Sequence, residues 1–192
     1  ALVPEIAAGP EAAARSFDAA PDYRFEGELR GYQSEGVKYM QWMTDRNFNV
    51  ILADEMGLGK TVQLLALLAS RKLRSSPPAL IVCPASLVAN WEREAHKFVP
   101  GFRVAAPAGH DRADMFKEVN EYDLVILSYA AARLSADKLK HCNFSFLVLD
   151  EAQHIKNPGS SNAKNCKSIA AAHRIVLSGT PLENSPEDLW SI

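Results

Sequence analysis

Asn49-Val50-Ile51-Leu52-Ala53-Asp54-Glu55-Met56-Gly57-Leu58-Gly59-Lys60-Thr61 is an apolar run, then a glycine-containing turn, then the start of a helical pattern. An apolar run without alternation marks a strand covered on both faces, as in a parallel sheet. Gly57 and Gly59 let the backbone turn tightly enough for several N–H groups to face one anion. The helix that follows adds the positive end of its dipole. Lys60 can reach the β- and γ-phosphates of a nucleotide as a point charge, and Thr61 can offer its hydroxyl to Mg²⁺. Asp54 stands where the first glycine of GxxxxGK[ST] is expected. A bare GxGKT also occurs as a plain turn with a surface lysine. Here strand, loop and helix stand in the order that phosphate binding requires.

Working outward, the same kind of apolar run recurs at residues 79–83, 123–127, 146–149 and 174–177, with 102–105 a weaker candidate. Helical patterns occupy 30–46, 61–74 and 86–98. Val37, Met40 and Met43 stand near helical spacing in the first of these. Strands alternating with helices predict an α/β domain with a mostly parallel sheet and helices on both faces. In such sheets ligands bind at the carboxyl ends of the strands, so chemistry is sought just after each run.

Asp150 and Glu151 follow the run at 146–149. Neighbouring residues at a strand end point in different directions. One carboxylate can therefore face a metal-bound water shell while the other orients or deprotonates an attacking water; Asp150 suits the first task and Glu151 the second. Solvated acids at a strand end are the plainer reading of the pair alone. The phosphate loop on another strand of the same sheet weighs against it.

The rest of the composition narrows the class. A length of 192 residues suits one domain with a proper core. Residues 1–24, rich in Ala, Pro and Glu, read as a linker or the end of an upstream element, and the regular pattern runs from 25 to 192. With Ala1 first and no signal-like segment, the chain is expected to begin inside a longer protein. No apolar run is long enough to span a bilayer, so no membrane is expected. Cys83, Cys142 and Cys166 show no metal spacing and fit a reducing, intracellular compartment. A net charge of -2 excludes a basic glove for nucleic acid, so any grip on DNA must be local. Trp91 reads as packing, the basic group Arg71-Lys72-Leu73-Arg74 as a solvated helix end, and His96, His110, His141 and His173 carry no assigned chemistry.

Six blocks in order carry a family resemblance: Leu29-Arg30-Gly31-Tyr32-Gln33; Asp54 to Thr61; Ile81-Val82-Cys83-Pro84-Ala85-Ser86-Leu87; Leu127-Ser128-Tyr129; Asp150-Glu151-Ala152-Gln153-His154-Ile155-Lys156-Asn157; and Leu177-Ser178-Gly179-Thr180-Pro181-Leu182-Glu183-Asn184. From about residue 25 onward the chain resembles the first RecA-like lobe of the SWI/SNF-type ATPases of helicase superfamily two. Asp54 is usual in that family. The resemblance implies a RecA-like P-loop domain that binds ATP and Mg²⁺. It implies a DNA-stimulated ATPase of the chromatin-remodeller type that moves along duplex DNA, touching backbone rather than sequence. A second RecA-like lobe would supply arginine fingers. Such a protein is expected to be intracellular, cytoplasmic or at the nucleoid in a bacterium and nuclear in a eukaryote.

Residue by residue, the resemblance implies that Gln33 reads adenine, with Arg30 and Tyr32 beside it. Gly57, Leu58, Gly59, Lys60 and Thr61 hold phosphates, and Lys60, Asp150 and Glu151 carry catalysis. Thr61 and Asp150 face the metal, largely through water. Pro84, Ser86, Ser128 and Tyr129 are candidates for the DNA backbone, with Ser86 as a helix N-cap. Gln153, His154, Ser178, Gly179 and Thr180 couple hydrolysis to DNA. Which of Gln153 and His154 senses the γ-phosphate stays open. Rival readings are a strand-separating helicase, a nucleotide-dependent docking module without turnover, and a small-molecule P-loop kinase.

Overall fold

Alternate residues of one buried strand belong to two different cores. In β2 (Ala79–Cys83) all five side chains are buried; Ala79, Ile81 and Cys83 join one apolar cluster, and Leu80 and Val82 join the other. This is the physical meaning of an apolar run without alternation: a strand with period-2 side chains and no solvent face. The computed structural model describes residues 23–179 apart from 56, 72, 110 and 156.

The strands are β1 (Val50–Leu52), β2, β3 (Val104–Ala105), β4 (Leu124–Ser128), β5 (Asn143–Asp150) and β6 (Ala170–Leu177). They form one sheet in the order β1-β6-β5-β2-β4-β3, and every pairing is parallel. The expected α/β architecture is therefore present. Because all strands run the same way, their carboxyl ends share one edge. The phosphate loop leaves β1, the Pro84 turn leaves β2, Asp150-Glu151 ends β5 and Ser178 follows β6.

On one face lie α1 (Gly31–Asp45), α2 (Lys60–Ala69) and α3 (Val88–Phe98). They bring Val37, Met40, Leu64, Leu65, Leu68, Trp91 and Ala95 against Val50, Ile81, Ile126, Val148 and Ile175. The other face is covered by α4 (Asp111–Met115), α5 (Tyr129–Leu134), α6 (Ala136–Leu139) and α7 (Ser161–Ser168). Met115, Ala131, Leu139, Ala163 and Cys166 pack there against Leu80, Val125, Leu127, Leu147 and Val176. Each fully buried Leu or Ile contributes roughly 1.5–3 kcal/mol, so the two layers together hold the sheet between the helices. No helix among the described residues is long and apolar enough to cross a membrane.

Several expected boundaries move. Helix α1 ends at Asp45, where Asn47 takes φ 60°; its N–H bonds Thr44 O and that of Phe48 bonds Met43 O, closing a Schellman turn. Helix α2 stops at Ala69 rather than 74. Within the basic group beyond it, Arg71 is more than a solvated end: it reaches Asp45 at 2.5 Å and the Thr44 hydroxyl at 2.6 Å, clipping α2 to α1. Leu73 is buried, and the Arg74 guanidinium lies over the Tyr23 ring. Strand β6 begins four residues earlier than the apolar run, because Ala170 and its neighbours pair with β5 from Asn143 on. Tyr23 falls in the segment read as linker, yet it is buried, stacks edge-on against Phe102 and donates its hydroxyl to Asp123 at 2.8 Å.

Candidate functional site

Between β1 and α2 the loop is held from several sides. Gly57 and Gly59 take φ of 84° and 81°, a region that side-chain-bearing residues rarely enter. At Gly59 a Cβ would also collide with Gln33 Nε2 and meet Val62 Cγ1 at 3.0 Å. The Tyr32 hydroxyl and Gln33 Nε2 both donate to Leu58 O, at 3.2 and 3.1 Å. Gln63, almost wholly buried one turn into α2, donates to Asp54 Oδ2 at 2.9 Å. Asp54 thus has a structural partner at the position where other phosphate loops place glycine. Lys60 Nζ rests on the loop's own carbonyls, 2.8 Å from Asp54 O and 3.0 Å from Glu55 O.

At the end of β5, Asp150 is only 8% exposed. Its Oδ2 accepts from the indole N–H of Trp91 at 2.8 Å, and its Oδ1 from the Glu151 N–H at 2.9 Å. Burial pushes its carboxyl above the usual range; the Trp91 hydrogen bond pulls it down, the Glu151 charge pushes up, and Lys60 pulls down. Glu151 takes φ 51°, unusual for a residue with a side chain. Such strain persists where surroundings over-determine it. Here the Asp150 carboxylate holds the Glu151 N–H, and the buried Tyr129 hydroxyl holds Asp150 O at 2.8 Å.

Loop and carboxylates line one cleft of about 370 Å³, bounded among others by Gly57, Gly59, Lys60, Thr61, Asp150 and Glu151. Strand β6 separates their two strands, and the Ser178 N–H bonds Leu52 O at 3.1 Å. Ser178 and Gly179 therefore lie between phosphate loop and carboxylates; Thr180 lies outside the described residues. The oxygen donors fit Mg²⁺, which takes one or two protein oxygens and completes its shell with water and phosphate. Thr61 and the buried, partly desolvated Asp150 carboxylate supply that donor set in the same cleft. The glycine cradle and the N-terminus of α2 fit a polyphosphate.

Other expected residues sit differently. The Gln33 carboxamide is already engaged: Oε1 accepts from Arg30 N–H at 2.9 Å, and Nε2 faces the loop. Neither Gln33, Arg30 nor Leu58 is among the residues lining the cleft, and the Arg30 side chain is exposed. Gln153 Nε2 donates to Glu151 Oε2 at 2.9 Å, whereas the His154 ring lies 5.3 Å from that of Tyr129. Gln153 is thus the member of the pair that touches the carboxylate. Ser86 does not cap a helix: it lies exposed inside a 3₁₀ turn, Ala85–Leu87, that precedes α3, because the Leu87 N–H bonds Pro84 O and tightens the chain there. Ser128 caps α5 by accepting from the Ala131 N–H. Tyr129, expected at a DNA backbone, is buried with its hydroxyl on Asp150 O, which removes it from any surface.

Sequence reasoning missed five participants. Trp91 was read as packing and touches Asp150. Gln63 anchors Asp54. Asn90, Glu94 and Phe98 of α3 line the cleft, and their spacing of four residues was the legible sign of a shared helix face.

A model of the SNF2-related domain matches residues 32–192. The chain is 38% identical over 179 residues to an uncharacterized ATP-dependent helicase of Mycoplasma pneumoniae, covering 91% of this chain and 17% of that protein. It is 36% identical over 173 residues to the putative ATP-dependent helicase/translocase YwqA of Bacillus subtilis, covering 88% and 19%. The SWI2/SNF2 ATPase core of Sulfolobus solfataricus, solved in complex with dsDNA, superposes with a TM-score of 0.80 at 38% identity, over 91% of this chain and 36% of that one. The chain spans less than a fifth of the length of these two curated relatives.

Proposed function

The chain belongs to the SNF2-related domain family, and on that premise we propose that it is the nucleotide-binding lobe of a DNA-stimulated ATPase of the SWI/SNF type that moves along duplex DNA. The observation that carries this reading is the shared cleft: a phosphate loop after β1 and a carboxylate pair after β5, at one edge of a parallel sheet. In this reading the N–H groups of residues 57–61 take the phosphates. Lys60 leaves the carbonyls of Asp54 and Glu55 for the β- and γ-phosphates, since a charge-assisted contact with an anion outweighs one with neutral oxygens. Thr61 and Asp150 hold the metal shell. A bound Mg²⁺ would neutralise charge on the transferring phosphoryl group. Glu151 orients and deprotonates the attacking water, and Gln153 holds the Glu151 carboxylate until substrate arrives.

Duplex DNA would lie along the same edge of the sheet. The Sulfolobus core was solved with dsDNA. On this chain the half-buried Pro84, the exposed Ser86 and the O–H of Ser128 offer backbone contacts beside the cleft. Ser178-Gly179, between phosphate loop and carboxylates, couples the two events. The test is steady-state ATPase of the full-length protein that carries this chain, with and without duplex DNA. Turnover that rises with duplex and is accompanied by no strand separation supports a translocase; rates indifferent to DNA overturn the reading, and separated strands move it to a helicase.

A further inference from the structure

Trp91 is the largest of the fully buried side chains, so its apolar packing alone accounts for its place in the core. Packing does not account for its polar end. The indole carries one donor, and it points across 59 positions of sequence to a carboxylate oxygen at the edge of the nucleotide cleft, 2.8 Å away. We propose that Trp91 is a positioning residue for Asp150: its N–H fixes the rotation of the carboxylate and so presents one defined oxygen face to the metal shell. The proposal rests on the assignment of Asp150 to that shell.

The rotation in question is a soft one. The terminal torsion of an aspartate is broad and roughly two-fold, so an unrestrained carboxylate samples many orientations. In Asp150 each oxygen has its own donor. The Glu151 N–H on Oδ1 is the backbone of the next residue and moves with the strand end. The Trp91 N–H comes from α3, a separate element locked into the core, and it defines an external direction. Each oxygen keeps a further acceptor site, and Asp150 is among the residues that line the cleft. Partners that orient a metal-facing group in this way typically matter 10–100-fold in metal affinity or activity. The sequence supports a donor-only role: indole N–H cannot accept, so it never competes with the carboxylate for the metal.

The experiment compares the full-length protein with Trp91→Phe, and with a variant carrying benzothienylalanine at position 91. The second keeps the fused-ring shape and replaces N–H by sulfur, so it separates the hydrogen bond from packing if Trp91→Phe fails to fold. Ile126→Val, in the same apolar layer, serves as a control for a small packing defect. Nucleotide binding is measured by calorimetry with and without Mg²⁺, and DNA-stimulated ATPase as a function of Mg²⁺. Both position-91 variants should bind metal-free nucleotide as the parent does. Both should lose about tenfold of the affinity that Mg²⁺ adds, and both should need about tenfold more Mg²⁺ for half-maximal rate, with KM for ATP at saturating metal nearly unchanged. Ile126→Val should keep the parent's metal dependence. Should the folded benzothienylalanine protein show the parent's Mg²⁺ dependence, Trp91 is packing alone and the proposal falls. Should the parent itself gain nothing from Mg²⁺, it is the metal-site reading of Asp150 that fails.

Discussion

In the proposed function Lys60 and Glu151 have separable tasks, and their substitutions should separate too. In that reading Lys60 would give bound phosphate a charge-assisted contact, worth roughly 1.5–3 kcal/mol. Lys60→Ala should therefore weaken Mg-nucleotide binding by about one to two decades, read by calorimetry. Equal binding by the two proteins would contradict the phosphate-loop assignment. As the proposed general base, Glu151 would contribute to the barrier and little to binding. Amide and carboxylate have nearly the same shape, and Gln153 can still bond a glutamine at 151. Glu151→Gln should leave nucleotide affinity within about twofold while DNA-stimulated hydrolysis falls by two or more decades, in the range expected for loss of a general base. The φ of 51° at this position would be kept, since the hydrogen bonds that hold it come from Asp150 and Tyr129 rather than from the carboxylate.

Strand β4 is anchored at its start by Asp123, a carboxylate with no solvent exposure. Burial alone would raise its carboxyl, but hydrogen bonds from the Arg103 side chain and N–H and from the Tyr23 hydroxyl outweigh that and hold it below the usual carboxylate range. Because the folded state favours the ionised form, the stabilisation is present above the unfolded value of about 3.9 and is lost as pH falls through the lower folded value. Asp123→Asn should destabilise the protein by about 2–3 kcal/mol near neutral pH. The gap to the parent should close below about pH 4. Denaturant unfolding across that range reads both effects, and a gap independent of pH would mean that the charge of Asp123 is not what anchors β4. The same network fixes Tyr23, so proteolysis near the start of the described region should be faster in this variant.

No arginine is among the described residues that line the cleft. A charge donor of that kind contributes roughly 10³–10⁵ in rate to related phosphoryl transfers. Residues 1–192 alone should bind Mg-nucleotide but hydrolyse it near background, with or without duplex DNA, whereas the full-length protein should turn over. Brisk DNA-stimulated hydrolysis by the chain alone would show that the catalytic set is complete within it. Net charge of -2 also bounds the grip on DNA. If the chain holds duplex DNA as proposed, few phosphates would be neutralised, so the slope of log K against log salt should be shallow, on the order of -2 to -4. Tight binding to one sequence at high salt would instead point to a base-reading surface.

Local sequence was enough for the α/β class and for placing the glycine loop after β1 and the acidic pair at the end of β5. Apolar runs buried on both faces need no tertiary partner to be recognised, and a glycine loop ahead of a helix is a contiguous signal. Strand β6 was half legible: Ala170-Ala171-Ala172-His173 has no strand-like composition, and only its pairing with β5 makes it extended. The order of strands, with β6 set between loop and carboxylates, is likewise a property of the closed sheet. Contacts between distant positions decided the rest. Trp91 meets Asp150, Tyr129 is withdrawn onto Asp150 O, Arg71 clips two helices, and Gln33 faces Leu58. Each of these side chains has both an apolar or flexible body and a polar end. Composition and period report where the body is buried, while the partner of the polar end is fixed only when separate elements pack and every buried donor must find an acceptor.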